Sequence, residues 1–242
     1  MSELPRPTFV LDGHDVPFEP GQTILQAALA AGHYVPYLCF HREFQPHGSC
    51  KVCTVELNGR MATSCTTPAH DGDAVRSNVP EVQELRRNLV QFLFTEGNHF
   101  CPSCEQSGDC TLQAVAYELG VTTGHYNPMF PNRPVDASHP DVLVDFNRCI
   151  LCELCVRASS LVDRKSVFAL SGRGITKHLV VNAESGRLAD TDLAVTDKAM
   201  SVCPVGAILH KRRGFRTPIG QRTYDQHPIR EVAVGPHDEK KT

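Results

Sequence analysis

Eleven cysteines, at positions 39, 50, 53, 65, 101, 104, 110, 149, 152, 155 and 203, constrain this 242-residue chain more than any other feature. An odd number cannot all pair within one chain. They also fall in tight groups, and clustered thiols in a reducing compartment point to metal rather than to disulfides. The opening stretch, Met1 to Val10, is too polar for a secretory signal. No apolar run approaches the ~18 residues needed to span a bilayer. The longest candidate, Ile24 to Ala31, is interrupted by Gln26 and stopped by Gly32. A net charge of −3 with no long basic run gives nucleic-acid binding little electrostatic support. A soluble cytoplasmic protein, with neither nucleic acid nor membrane as partner, is the expectation.

The first group, Cys39, Cys50, Cys53 and Cys65, has the spacing C-x10-C-x2-C-x11-C. A C-x2-C pair can bite one metal centre, and the flanking cysteines complete four ligands. Within His47-Gly48-Ser49-Cys50-Lys51-Val52-Cys53 the small Gly48 and Ser49 let backbone N–H groups approach cluster sulfides, which raises a reduction potential. A 2Fe–2S centre fits, as a variant of the plant-type spacing. Four thiolates also suit a structural zinc ion, so a zinc-stabilised binding scaffold is the alternative.

The second group, Cys101, Cys104 and Cys110, offers only three thiols, and His99 lies two residues upstream. Imidazole ligates iron in Rieske centres. Eleven cysteines and one histidine make twelve ligands, which divide into three sets of four. A neutral imidazole in place of a thiolate makes a 4Fe–4S cluster less negative and raises its potential. His41 and His47 sit beside the first group and are read as neighbours of that site or exposed. The third group, Cys149, Cys152 and Cys155, forms C-x2-C-x2-C, with Cys203-Pro204 far downstream. This is half of a bacterial ferredoxin run and predicts one further 4Fe–4S cluster. Ile150, Leu151, Leu154 and Val156 would keep it dry.

Between the ligands, the pattern predicts an α+β chain. Residues 8–11 and 15–18 around Asp12-Gly13 read as a hairpin. Thr23 caps a helix from Ile24 to Ala31. Val52 to Leu57 alternates like a strand before the Asn58-Gly59 turn. Val82, Leu85, Leu89, Phe92 and Leu93 recur at helical spacing, with Arg86, Arg87 and Asn88 on another face. A second helix spans Leu112 to Leu119, closed by Gly120. The prolines between 124 and 140 mark a loop. Strands follow at 142–146, 167–170 and 178–182. A helix is expected at Thr191 to Met200 and a closing strand at Ala207 to Leu209. Residues 214–242 are expected to be an extended polar tail, docked on a partner. The bare Gly172-Arg173-Gly174 lacks the third glycine and helix of a nucleotide-binding turn.

With the three groups placed, the chain resembles a known family. The order of motifs is similar to the N-terminal iron–sulfur region of the complex I large subunit and of iron-only hydrogenases. It looks most like the gamma, or diaphorase small, subunit of soluble NAD-reducing nickel–iron hydrogenase, above all along Glu96-Gly97-Asn98-His99-Phe100-Cys101-Pro102-Ser103-Cys104-Glu105. The resemblance covers roughly residues 5–212. One departure is visible: complex I has H-x3-C before the second group, whereas this chain has H-x-C, with Gly97 at the usual histidine position.

The resemblance implies four parts. Residues 1–78 form a 2Fe–2S ferredoxin-like β-grasp domain, and 79–140 a helical His/Cys-ligated 4Fe–4S segment. Residues 141–213 form a bacterial-ferredoxin-like 4Fe–4S domain, followed by the tail at 214–242. It implies a 2Fe–2S cluster on Cys39, Cys50, Cys53 and Cys65. It implies 4Fe–4S clusters on His99, Cys101, Cys104 and Cys110, and on Cys149, Cys152, Cys155 and Cys203. No catalytic residue is expected on this chain. FMN and NAD would lie on a diaphorase large subunit, and hydrogen chemistry on nickel–iron hydrogenase small and large subunits. An equivalent relay in an NAD-dependent formate dehydrogenase or in complex I is the alternative machine.

Overall fold

The Asp12-Gly13 turn closes an antiparallel hairpin of β1 (Thr8–Leu11) and β2 (His14–Pro17). The computed structural model describes residues 6–129 and 131–235. Thr23 caps α1 (Ile24–Ala30) through a reciprocal bond pair with Gln26, which satisfies donors that a helix start leaves open. Asn58-Gly59 joins β3 (Thr54–Leu57) to β4 (Arg60–Thr63), and β5 (Ala74–Arg76) completes the sheet in the order β2-β1-β5-β3-β4. The β1–β5 pair is parallel and the others antiparallel. Phe9, Val16, Ile24, Leu25 and Val55 are fully buried in one core with Cys53 and Cys65. This is the expected β-grasp arrangement, with two cysteines built into its core.

The long helix α2 (Pro80–Glu96) follows. Arg86 departs from the sequence expectation that set it on a face away from the packing stripe. It is the largest fully buried side chain among the described residues. Its guanidinium donates to Ser77 O at 3.0 Å, Thr54 O at 2.8 Å and Ser77 Oγ at 2.9 Å. Those acceptors lie at strand ends that face the helix and have no water to use instead. Burial lowers the Arg86 pKa to about 10, which leaves it charged at neutral pH.

Beyond α3 (Thr111–Glu118) come β6 (Val135–Asp136), β7 (Val142–Asp145) and α4 (Leu154–Leu161). Next are β8 (Phe168–Ser171), β9 (His178–Val181), α5 (Lys198–Ser201) and β10 (Ile208–His210). They make a sheet ordered β10-β7-β6 and a β8-β9 hairpin. The helix expected over Thr191 to Met200 is confined to α5. The Asp197 carboxylate explains the late start: it accepts from Ala194 N at 2.8 Å and pairs with Lys165 Nζ at 2.8 Å. A side chain that bonds its own upstream backbone competes with helix.

The expected extended tail is also corrected. It forms α6 (Thr223–Gln226) and α7 (Ile229–Val234), and it docks on its own chain. Ile229 and Ala233 are buried, Arg42 donates to Ala233 O at 2.9 Å, and Arg230 pairs with Glu118 at 2.7 Å. Residues 236–242 lie outside the described residues. The chain forms two compact units. Among the described residues, one holds 6–90, 115–122 and 227–235, and the other holds 91–114, 123–129 and 131–226. No helix among the described residues is long and apolar enough to cross a membrane.

Arg86→Ala strips the charge partner from three buried acceptors. It is expected to destabilise the first unit by about 3 kcal/mol, read as a drop in the denaturant midpoint at unchanged m-value.

Candidate metal centres

None of the eleven cysteines is in a disulfide. In the first unit, the loops flanking β3 and β4 bring Cys39, Cys50, Cys53 and Cys65 into one hydrogen-bonded set. Cys39 takes thiol hydrogen bonds from Cys50 and Cys65, which hold it well below the usual thiol range. Cys53 takes one from Cys65 and falls to about 7. The same bonds push Cys50 and Cys65 up. The four thiols thus share their protons within one buried set, where a metal centre would supply positive charge. Cys50 N also donates to Cys39 Sγ at 3.5 Å. His41 stacks on Phe44 with centroids 4.7 Å apart.

The second group lies in the second unit, on the turn after α2. His99, Cys101, Cys104 and Cys110 line one cavity with Phe94, Gln113 and Arg148. His99 Nε2 is buried there without a hydrogen-bond partner. Burial, reinforced by the positive charge of Arg148, lowers the His99 pKa to about 4. The ring is therefore neutral at physiological pH, with a buried polar nitrogen beside a cavity that three cysteines also line. An orphaned buried nitrogen is costly, and a neutral imidazole is the form that ligates metal. The residues present fit an iron–sulfur cluster.

The ring position also explains the departure at Gly97. A Cβ on Gly97 would stand within 2.3 Å of His99 Nε2. The imidazole occupies the space a side chain at position 97 would need, so histidine is possible at one of the two positions and not at both. The cavity is held from outside by the C-terminal segment. Arg222 donates to Ser107 O at 2.7 Å, Thr223 N to Asp109 Oδ1 at 2.9 Å and Tyr224 N to Gly108 O at 2.8 Å. These bonds clamp the Cys104–Cys110 loop.

The third group follows β7. Cys149, Cys152, Cys155 and Cys203 interact electrostatically as one set, and burial pushes Cys149 up to about 11 and Cys155 well above the usual thiol range. Burial likewise takes Cys110 in the second group to about 12. Leu151 N points at Cys149 Sγ at 3.4 Å. Leu154 is buried, while Ile150, Leu151 and Val156 are half-buried. Lys51, Leu151 and Glu153 have φ of 58°, 54° and 62°. Left-handed backbone costs a non-glycine residue about 1–2 kcal/mol, and all three lie between cysteines of the C-x2-C turns. Such outliers persist where a site imposes them. The residue types gave no hint of them, because glycine is the usual marker of that conformation.

Among the described residues no three His, Cys, Asp or Glu side chains converge as one metal ion requires. A single zinc ion needs its donors around one point at about 2.3 Å, whereas a cluster spreads its ligands over several irons.

Three family matches coincide with the three groups. Residues 6–80 match the 2Fe-2S iron-sulfur cluster binding domain, 86–125 the NADH-ubiquinone oxidoreductase-G iron-sulfur binding region, and 142–209 the 4Fe-4S single cluster domain. These define an iron–sulfur electron-transfer protein with ferredoxin-type domains in series. The chain is 37% identical to the NAD-reducing hydrogenase HoxS subunit gamma of Cupriavidus necator, over 94% of its own length and 97% of that protein's. It belongs to the family of that gamma subunit. It superposes with a TM-score of 0.90 and 54% identity on a chain of the crystal structure of an NAD+-reducing NiFe-hydrogenase in the H2-reduced state, covering 93% of this chain and 95% of that one. The 78 kDa subunit of mitochondrial NADH-ubiquinone oxidoreductase from Neurospora crassa is 29% identical over 85% of this chain, which spans 28% of that longer protein.

Gly97→Ala is expected to displace His99 and to lower the iron bound by the second group without unfolding the chain. Iron analysis alongside circular dichroism checks this; a variant with full iron content would contradict the assigned role of the ring position.

Proposed function

We propose that this chain relays single electrons through one 2Fe–2S and two 4Fe–4S clusters, between a flavin- and NAD-binding diaphorase large subunit and the small and large subunits of a nickel–iron hydrogenase. The proposed ligands are Cys39, Cys50, Cys53 and Cys65 for the 2Fe–2S cluster. The second set is His99, Cys101, Cys104 and Cys110, and the third is Cys149, Cys152, Cys155 and Cys203. The cytoplasm is the proposed location, as a subunit of a hydrogen:NAD oxidoreductase. The observation that carries the reading is the buried, unpartnered Nε2 of His99 in a cavity that three cysteines also line. It supplies the one ligand that the cysteine count lacks.

When bound, each cluster accepts and passes on one electron without taking a proton. The chain's own residues prepare and insulate the sites. The β-grasp core buries Cys53 and Cys65, and Leu112 and Leu154 keep water from the other two groups. Backbone N–H groups at Cys50 and Leu151 donate to sulfur, which favours the reduced, more negative state. The relatives share cluster-bearing length with this chain, and one of them matches it almost end to end. That makes a relay subunit, rather than a catalytic one, the function that best fits the sites.

A complex assembled without the chain is expected to lose hydrogen-dependent NAD reduction, and the isolated chain to show neither half-reaction. Retained activity would contradict the proposal. For the second site, His99→Ala should remove about four irons per chain, and His99→Cys should keep them at a lower potential. An unchanged spectrum and iron content in both variants would remove His99 from the ligand set.

A further inference from the structure

The side chain of Arg148, four-fifths buried, stands immediately before the third cysteine group, yet its guanidinium reaches the second. Its Nη1 lies 3.6 Å from Cys104 Sγ, 2.8 Å from Glu105 Oε2 and 3.3 Å from Gly206 O. Its Nε pairs with Asp145 Oδ2 at 2.9 Å. Asp145 ends β7 and also accepts from Asn147 N at 3.0 Å, so the carboxylate that orients the guanidinium is itself fixed. Gly206 closes the far side. A Cβ there would come within 3.2 Å of Cys104 Sγ and 2.9 Å of Gln106 Cβ, and 3.6 Å from Arg148 Nη1. A side chain at 206 would therefore crowd Gln106 and the Cys104 sulfur itself.

We propose that Arg148 is a positioning residue that sets the reduction potential of the His99/Cys101/Cys104/Cys110 cluster through its N–H···S bond to Cys104. This rests on the ligand assignment of the preceding subsection. The direction follows from charge. One electron entering the cluster makes its thiolates more negative and moves no proton, so a donor on Cys104 stabilises the reduced state and raises the potential. Glu105 opposes it. Arg148 with Asp145 and Glu105 carries a net charge of −1, so the three side chains together offer the cluster no net Coulomb attraction. Nη1 has two protons for three acceptors, Cys104, Glu105 and Gly206. The Glu105 carboxylate, as the strongest acceptor, draws one of them away from the sulfur. The potential is thus poised by a contest between a thiolate and a carboxylate for one guanidinium.

The test is an anaerobic redox titration of the full-length, cluster-loaded chain, followed by electron paramagnetic resonance, with iron counted on the same samples. Arg148→Gln is expected to move the midpoint of the His-ligated cluster to lower potential. Arg148→Lys, which keeps the charge without the fixed fork, should fall between it and wild type. Glu105→Gln should move the midpoint higher, because the freed proton returns to Cys104. The 2Fe–2S midpoint should stay in place throughout. Coincident midpoints in wild type and Arg148→Gln, with iron retained, would overturn the inference and leave the ligand assignment standing. Where Arg148→Gln loses the cluster, Glu105→Gln decides, and an unmoved midpoint there overturns it. A wild-type chain with no cluster at this site would overturn both.

Discussion

A thiol is a poor ion in a dry place, and this chain buries most of its eleven. Burial, the largest cause, drives Cys110 to about 12 and Cys149 to about 11, and raises Cys155 well above the usual thiol range. Backbone N–H groups at Gln113, Leu151 and Val156, and the charge of Arg133, offset only part of that. The second group has Arg148, and Cys39 and Cys53 have the thiol protons of their neighbours. A chain so built favours whatever brings concentrated positive charge into the sites. Iron in place of the proton would convert each buried sulfur from a neutral thiol to a ligated thiolate. The rest of the architecture then has a purpose: a β-grasp core around one quartet, and a helix turn, a ferredoxin-type loop and a C-terminal clamp around the others.

The histidine shows the same constraint from the opposite side. An imidazole buried among thiols could take a proton from one to form an imidazolium–thiolate pair, but burial and Arg148 hold it neutral. Its nitrogen faces the cavity without a partner, and Gly97 lacks the side chain that would exclude it. Moving the histidine by two residues relative to the complex I pattern therefore required a compensating loss of bulk at position 97.

Much of this was legible from residue types because the physics is local. The Asp12-Gly13 and Asn58-Gly59 turns and the Thr23–Gln26 cap are each set by neighbours in sequence. The cysteine groups could be placed because two of the spacings are short. What stayed hidden depends on distant partners. Arg86 looks like a solvated residue until Ser77 and Thr54 present it with buried carbonyls. Residues 223–234 are too polar and too short to announce helices, and they form on Gly108, Asp109, Glu118 and Arg42. The helix expected at 191–200 yields to a single carboxylate, Asp197. Arg148 could have been suspected as a basic residue touching a cysteine triplet in sequence, but nothing local says that it serves the other group.

The central claim is that twelve side chains hold iron in three sets of four. Iron, zinc and acid-labile sulfide counted per chain in anaerobically purified protein, with Mössbauer spectra to separate cluster types, test it most directly. The account predicts about ten irons and ten sulfides per chain, with two-iron and four-iron components and no zinc. Stoichiometric zinc, or protein without labile sulfide, would contradict it.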